Sequence, residues 1–229
     1  VTPLEWAVSA GQAALALLVL AGLVARRHVR VCVCFPLYLV SFVASESLVL
    51  AWGDRFWNLA FWTAKEALQG LLKFGVLLEL VLRLFRNLPG ARGSTAWLVF
   101  LVLLVSGAML GASWDSGDLA RVAIPALLYA TAAGFTVLLL TVAWYHVPLH
   151  QVHKAILLGL TPYLFTFTVL VQALATWGWD PRRYANPANW VAYAAVLVYW
   201  VREAWRPYAA PSGIPRAVTA FLQPWAPQR

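Results

Sequence analysis

WNLAFWTAKEALQGLLKFGVLLELVLRLFR, residues 57–86, is the stretch on which the fold turns. At 1.5 Å per residue it is long enough to cross the roughly 30 Å hydrocarbon of a bilayer. It is also the least apolar such stretch, because it carries Lys65, Glu66, Gln69, Lys73 and Glu79. If it crosses, the chain divides into seven spans with short connections. If it does not, residues 52–93 become one long connection between neighbouring spans, which compact bundles avoid.

Its surroundings favour a crossing. Six further windows are continuously apolar over a helical span length: 6–25, 31–51, 94–113, 122–145, 155–177 and 187–203. Continuous rather than alternating apolarity predicts helices and not a barrel. Of the 229 residues, 62% are hydrophobic and 11% charged, with a mean hydropathy of +0.72. Soluble domains carry about a quarter of their residues as charged side chains, so an aqueous fold is excluded. The expected fold class is an all-α integral membrane protein, a seven-helix bundle over residues 1–206. A tail over 207–229, proline-rich with an apolar side, is expected on the cytoplasmic membrane surface or against a partner. The first run lacks a basic start and is followed at once by another span, so it reads as a span rather than a signal peptide.

Aromatic and basic residues set boundaries and direction. Trp6, Trp52, Trp57, Trp97, Trp114, Trp144, Trp177, Trp179, Trp190 and Trp205 fall near predicted helix ends, where indole rings favour the headgroup layer. Basic residues favour alternate connections: Arg26, Arg27 and Arg30, then Arg83, Arg86 and Arg92, then Lys154, then Arg202, Arg206, Arg216 and Arg229. The positive-inside rule then places the N-terminus outside and the C-terminus in the cytoplasm, in the cell's inner membrane. The net charge of +8 is expected to meet anionic lipid, since no basic run is long enough for nucleic acid.

Ionisable residues inside apolar spans are costly and mark functional candidates. Glu46 lies in the second span; Glu66, Gln69 and Lys73 share one face of the third with residue 62. Together they predict an intramembrane polar seam between these helices, either a buried network fixing register or a ligand, ion or proton site. Glu79 and Arg83 form an i,i+4 pair nearer the cytoplasm. His146, His150 and His153 form a second group, a minor candidate for a metal or haem; Pro148 interrupts the helix such a site needs. No other cofactor is required. Cys32 and Cys34 read as ordinary buried thiols.

Packing signals are Gly107 and Gly111, a G-x-x-x-G step in the fourth span, and a small-residue face at Ala10, Gly11, Ala13 and Ala14. Pro36, Pro125 and Pro162 lie about a turn inside their helices, Pro162 being the best kink candidate. No pair of half-length repeats is visible, and no nucleophile elbow, zinc-protease, P-loop or dinucleotide motif occurs. The seventh span, NWVAYAAVLVYWVREAW, has no Lys to carry retinal. The leading expectation is therefore a non-enzymatic polytopic subunit or scaffold, with membrane lipids and other integral membrane subunits as partners. A receptor-like sensor signalling through a partner, and a small-solute, ion or proton transporter, are the alternatives.

Overall fold

A computed structural model describes residues 3–56, 58–85, 119–177 and 182–207. The window 94–113 with Gly107 and Gly111, and the tail beyond residue 207, lie outside the described residues. Six long helices account for nearly all of the rest: α1 Pro3–Ala25, α2 Cys34–Ala51, α4 Leu59–Phe85, α5 Leu119–Trp144, α6 Gln151–Trp177 and α7 Arg182–Trp205. The short α3, Gly53–Phe56, follows α2. A 3₁₀ turn, His28–Val31, lies between α1 and α2.

Four of the long helices, α1, α2, α5 and α6, are long and apolar enough to cross a membrane. In α4 the charges that set residues 57–86 apart interrupt the apolar run, and in α7 arginines and Glu203 weight both ends. Both pack within the same bundle as the other four. Helices begin earlier than the apolar windows at α1, α6 and α7, because the polar residues at their starts extend the hydrogen-bonded backbone without adding to the apolar run. Pro162 is consequently deep inside α6, where it deprives the Leu158 carbonyl of its intrahelical donor. Trp6, Trp52, Trp144, Trp177 and Trp205 are all exposed near helix ends.

The long helices form a closed ring. Each packs on the next in sequence, α4 on α5 across the undescribed segment, and α7 returns to α1. Contacts fix their directions. Glu46 meets Lys65 and Ser45 meets Gln69, so α2 and α4 are antiparallel. Trp200 meets Ala155 and Gln151 meets Glu203, so α6 and α7 are antiparallel, as α5 and α6 are through Tyr129 and Gln172. By contrast, Gly70 abuts Leu127 and Gly134 abuts Leu77, so α4 and α5 run parallel. Gln12 reaches the Trp190 carbonyl and Trp205 the Leu18 carbonyl, so α1 and α7 are parallel too.

The three long helices before residue 86 therefore have the same order and directions as the three after 118. The two parallel junctions close the ring as a two-fold axis along the bundle requires. Sequence alone predicts no half-length repeat. The repeat is one of topology, carried by chain direction rather than by residue identity.

The interior is dry over one half of its length. Val76, Leu77, Leu80, Phe135, Leu138, Ile156, Leu157 and Leu160 are all fully buried. Glycine sets the closest approaches. A Cβ at Gly159 would collide with the Trp200 indole, whose Nε1 donates to the Ala155 carbonyl at 3.0 Å. The small-residue face of α1 is only partly used: Ala13 is buried, yet nothing lies against Gly11. The close approach to α7 is instead at Gly22, against Ala204 and Trp205.

Candidate functional site

The predicted seam divides into two parts. Glu46 is buried on α2, and its carboxylate accepts from the Lys65 ammonium at 2.5 Å, with both side chains almost wholly inaccessible. Lys65 also lies over the Trp62 ring, its nitrogen 4.1 Å from the centroid. Gln69 is buried one turn further along α4, and its amide reaches the Ser45 hydroxyl at 3.5 Å. Ser45 in turn donates to backbone carbonyls of its own helix. This half of the seam is a closed pair in which every charge has a partner.

Sequence reasoning grouped Lys73 with Glu46 and passed over Lys65. On a helical wheel Lys65 lies at the edge of the Glu66–Gln69–Lys73 face, one turn before Gln69, and the rotation of α4 brings that edge against α2.

Lys73 and Glu66 form the second part. Lys73 is 5% exposed and lies at the middle of the 27-residue α4. Its ammonium lies between three rings, 5.5 Å from the centroid of Tyr38, 5.8 Å from Tyr163 and 5.9 Å from Phe167. Among the described residues, no carboxylate lies within the 4.0 Å reach of an ion pair with it. Cation–π contacts supply about 0.5–2 kcal/mol each, against the larger cost of burying an ammonium without a hydrogen-bonded partner. The rings therefore lessen the cost of the buried charge without giving it a hydrogen-bond acceptor.

Lys73 also lines a cavity of about 150 Å³ between α4, α5 and α6. Glu66, Gly70 and Lys73 form its α4 wall; Pro125, Leu128 and Phe167 are among the residues of the other two. The half-buried Glu66 and the buried Lys73 thus line one partly open cavity with opposite charge. Gly70, between them on the same face, leaves the space clear because a side chain there would press on Leu127 at 3.1 Å.

Behind Lys73 a core of aromatic residues holds the rings in place. The Tyr38 and Tyr193 hydroxyls share a hydrogen bond of 2.8 Å. Tyr193 packs against Phe42 and Tyr163, with centroids 4.9 and 5.0 Å apart, and Phe35 packs edge-on against Trp200. Sequence reasoning missed these tyrosines, because a tyrosine in an apolar run looks like any other span residue.

Glu79 and Arg83 lie at the opposite, basic end and do more than pair with each other. The Glu79 carboxylate accepts the backbone N–H groups of Val33 and Cys34 at 2.9 and 2.8 Å, and the Cys32 thiol at 3.2 Å. It thereby caps the N-terminus of α2 from another helix, supplying acceptors that the α2 N-terminus otherwise lacks. Arg83 bonds Glu79 at 2.6 Å and donates to the Arg30 and Val31 carbonyls at 2.7 and 2.8 Å. Burial first, and then the Glu79 charge, push the Cys32 thiol well above its ordinary range, so Cys32 stays protonated and inert.

The metal expectation at His146, His150 and His153 is not met. His146 is exposed and adopts a left-handed backbone, φ 50°, at the turn that ends α5. His153 donates from Nε2 to the Val31 carbonyl at 2.8 Å, and His150 Nδ1 accepts the Val152 N–H at 3.2 Å. His28 takes the third place, its ring 5.6 Å from that of His150. Among the described residues no group of three or more metal-ligating side chains converges. Burial lowers the pKa of both His28 and His150, Arg26 adding to the effect at His28 and His153 at His150.

No family model, curated protein or solved structure matches the chain.

Proposed function

We propose that this chain is a small-solute transporter of the cytoplasmic membrane, spanning it seven times with the N-terminus outside and the C-terminus in the cytoplasm. The observation that carries the reading is the cavity of Lys73 and Glu66, halfway along the bundle at the junction between two three-helix units of like direction. Parallel repeats related by an axis along the membrane normal are a recurrent transporter architecture, with the substrate held near the midplane between them.

The span count draws on the same geometry. The parallel directions of α4 and α5 support a crossing between them, for which the apolar window 94–113 has the length. The ends that carry Arg26, Arg30, Arg83 and Arg206 then gather on one side, as the positive-inside rule asks of a cytoplasmic face. The dry packing from Val76 to Leu80 and at Phe135 and Leu138 seals the cavity from that side, as expected of a state closed to the cytoplasm.

That dry half also favours a second reading, a receptor-like sensor that binds without flux and signals through a partner. An assembly subunit does not account for the Lys73 ammonium, which has no carboxylate within ion-pair distance among the described residues. The test is uptake by proteoliposomes holding the purified full chain, with labelled sugars, carboxylates, amines and amino acids of cavity size. Accumulation of one class, abolished by Val171→Trp, which fills the cavity, is expected. No flux of any class, together with a partner co-purifying in fixed stoichiometry, would return the reading to a subunit.

A further inference from the structure

We infer that the cavity between α4, α5 and α6 takes a small zwitterion with an apolar side group, its carboxylate against Lys73 and its ammonium against Glu66. This rests on the transport reading and names its substrate class.

Charge decides the class. Lys73 is 5% exposed, lines the cavity, and has three rings but no carboxylate within ion-pair distance among the described residues. Glu66 lines the same cavity from the other side of Gly70. A simple carboxylate would satisfy Lys73 but sit beside a second negative charge. A simple amine would satisfy Glu66 and repel Lys73. A neutral solute leaves both charges desolvated and unmatched. Only a ligand carrying both charges completes the set.

Spacing and volume narrow it further. Glu66 and Lys73 are seven residues apart on one helix, so their Cα atoms are separated by about 10 Å along its axis. Two long side chains and a bridging zwitterion span that gap, and Gly70 puts no side chain in between. An apolar cavity of about the same volume, 150 Å³, holds a benzene ring. Ile124, Leu128, Leu164 and Val171 supply the apolar wall, which suits a branched aliphatic or single-ring side group. The cavity thus has room for the side group of leucine or phenylalanine, and the assignment is to an amino acid of that type.

Binding to the full chain in lipid nanodiscs tests this with three probes: phenylalanine, 3-phenylpropionate, which lacks the amine, and 2-phenylethylamine, which lacks the carboxylate. Phenylalanine should bind at least about tenfold more tightly than either analogue. Lys73→Met should erase its advantage over 2-phenylethylamine, and Glu66→Gln its advantage over 3-phenylpropionate. Should a variant not fold, the selectivity of the unaltered protein still decides. Equal or tighter binding of an analogue, no binding of phenylalanine or leucine, or folded variants with unchanged preference would overturn the assignment. Phenylalanine bound but not carried into vesicles would support the ligand class and remove the transport reading. An analogue carried while no amino acid binds would do the reverse.

Discussion

Glu46 and Lys65 show how a buried charge is tolerated at the residue scale. Each is desolvated, and each is stabilised almost entirely by the other. Removing one partner strands a charge, which in buried pairs costs about 3–5 kcal/mol, whereas removing both is close to neutral. Glu46→Gln and Lys65→Met should each lower the thermal midpoint of the full chain in detergent well below that of the double variant. Single variants no worse than the double would show that the two groups do not depend on each other. Lys73 is the opposite case, a buried charge among rings with, among the described residues, no carboxylate within ion-pair distance, and the proposed binding role rests on that difference.

At the scale of the element, helix ends carry much of the organisation. Glu79 on α4 caps α2, and its loss leaves the Val33 and Cys34 amides without their acceptor, at about 1–3 kcal/mol for stranded donors. In Glu79→Leu these two amides should exchange with solvent faster, and Cys32, buried beneath the cap, should become reactive toward maleimide. Unchanged Cys32 labelling would show that the cap does not hold this turn closed.

The turn at His28 and the start of α6 at His150 add a pH dependence. Both imidazoles have pKa values lowered by burial, so the unfolded chain binds their protons more readily than the folded one. Their contribution is complete above the ordinary histidine value near 6.5 and is lost as pH falls through and below it. Thermal midpoints should decline from pH 7.5 to pH 5.5, and His150→Gln should flatten the decline. A profile equally steep in that variant would place the sensitivity elsewhere.

For the whole molecule, the ring of helices joins two three-helix units through two parallel junctions, and the cavity lies at one of them. Crossing number and direction are testable with single cysteines placed in a background lacking Cys32 and Cys34. Positions 54 and 118 should label from the outside of intact cells, and positions 92 and 206 only after permeabilisation. Labelling of 92 from outside would overturn both the seven-span topology and the orientation proposed with it.

The amino-acid sequence by itself determined that the chain is helical and belongs in a membrane. Span-length apolar runs in a chain this poor in charge can satisfy their backbone only as helices in a lipid solvent. It also marked α2 and α4 as the helices holding buried charge, because ionisable residues stand out against an apolar background. Only the tertiary structure decided which charges pair. Lys65 rather than Lys73 meets Glu46, and His28 rather than His146 sits by His150, because helix rotation and turn geometry depend on packing with distant segments. The repeated three-helix topology and the tyrosine core likewise arise from directions and contacts between helices far apart in the chain, which local composition does not encode. Within residues 57–86, the least apolar of the windows, Leu59–Phe85 is a helix whose charges meet Glu46 on one side and line a cavity on another.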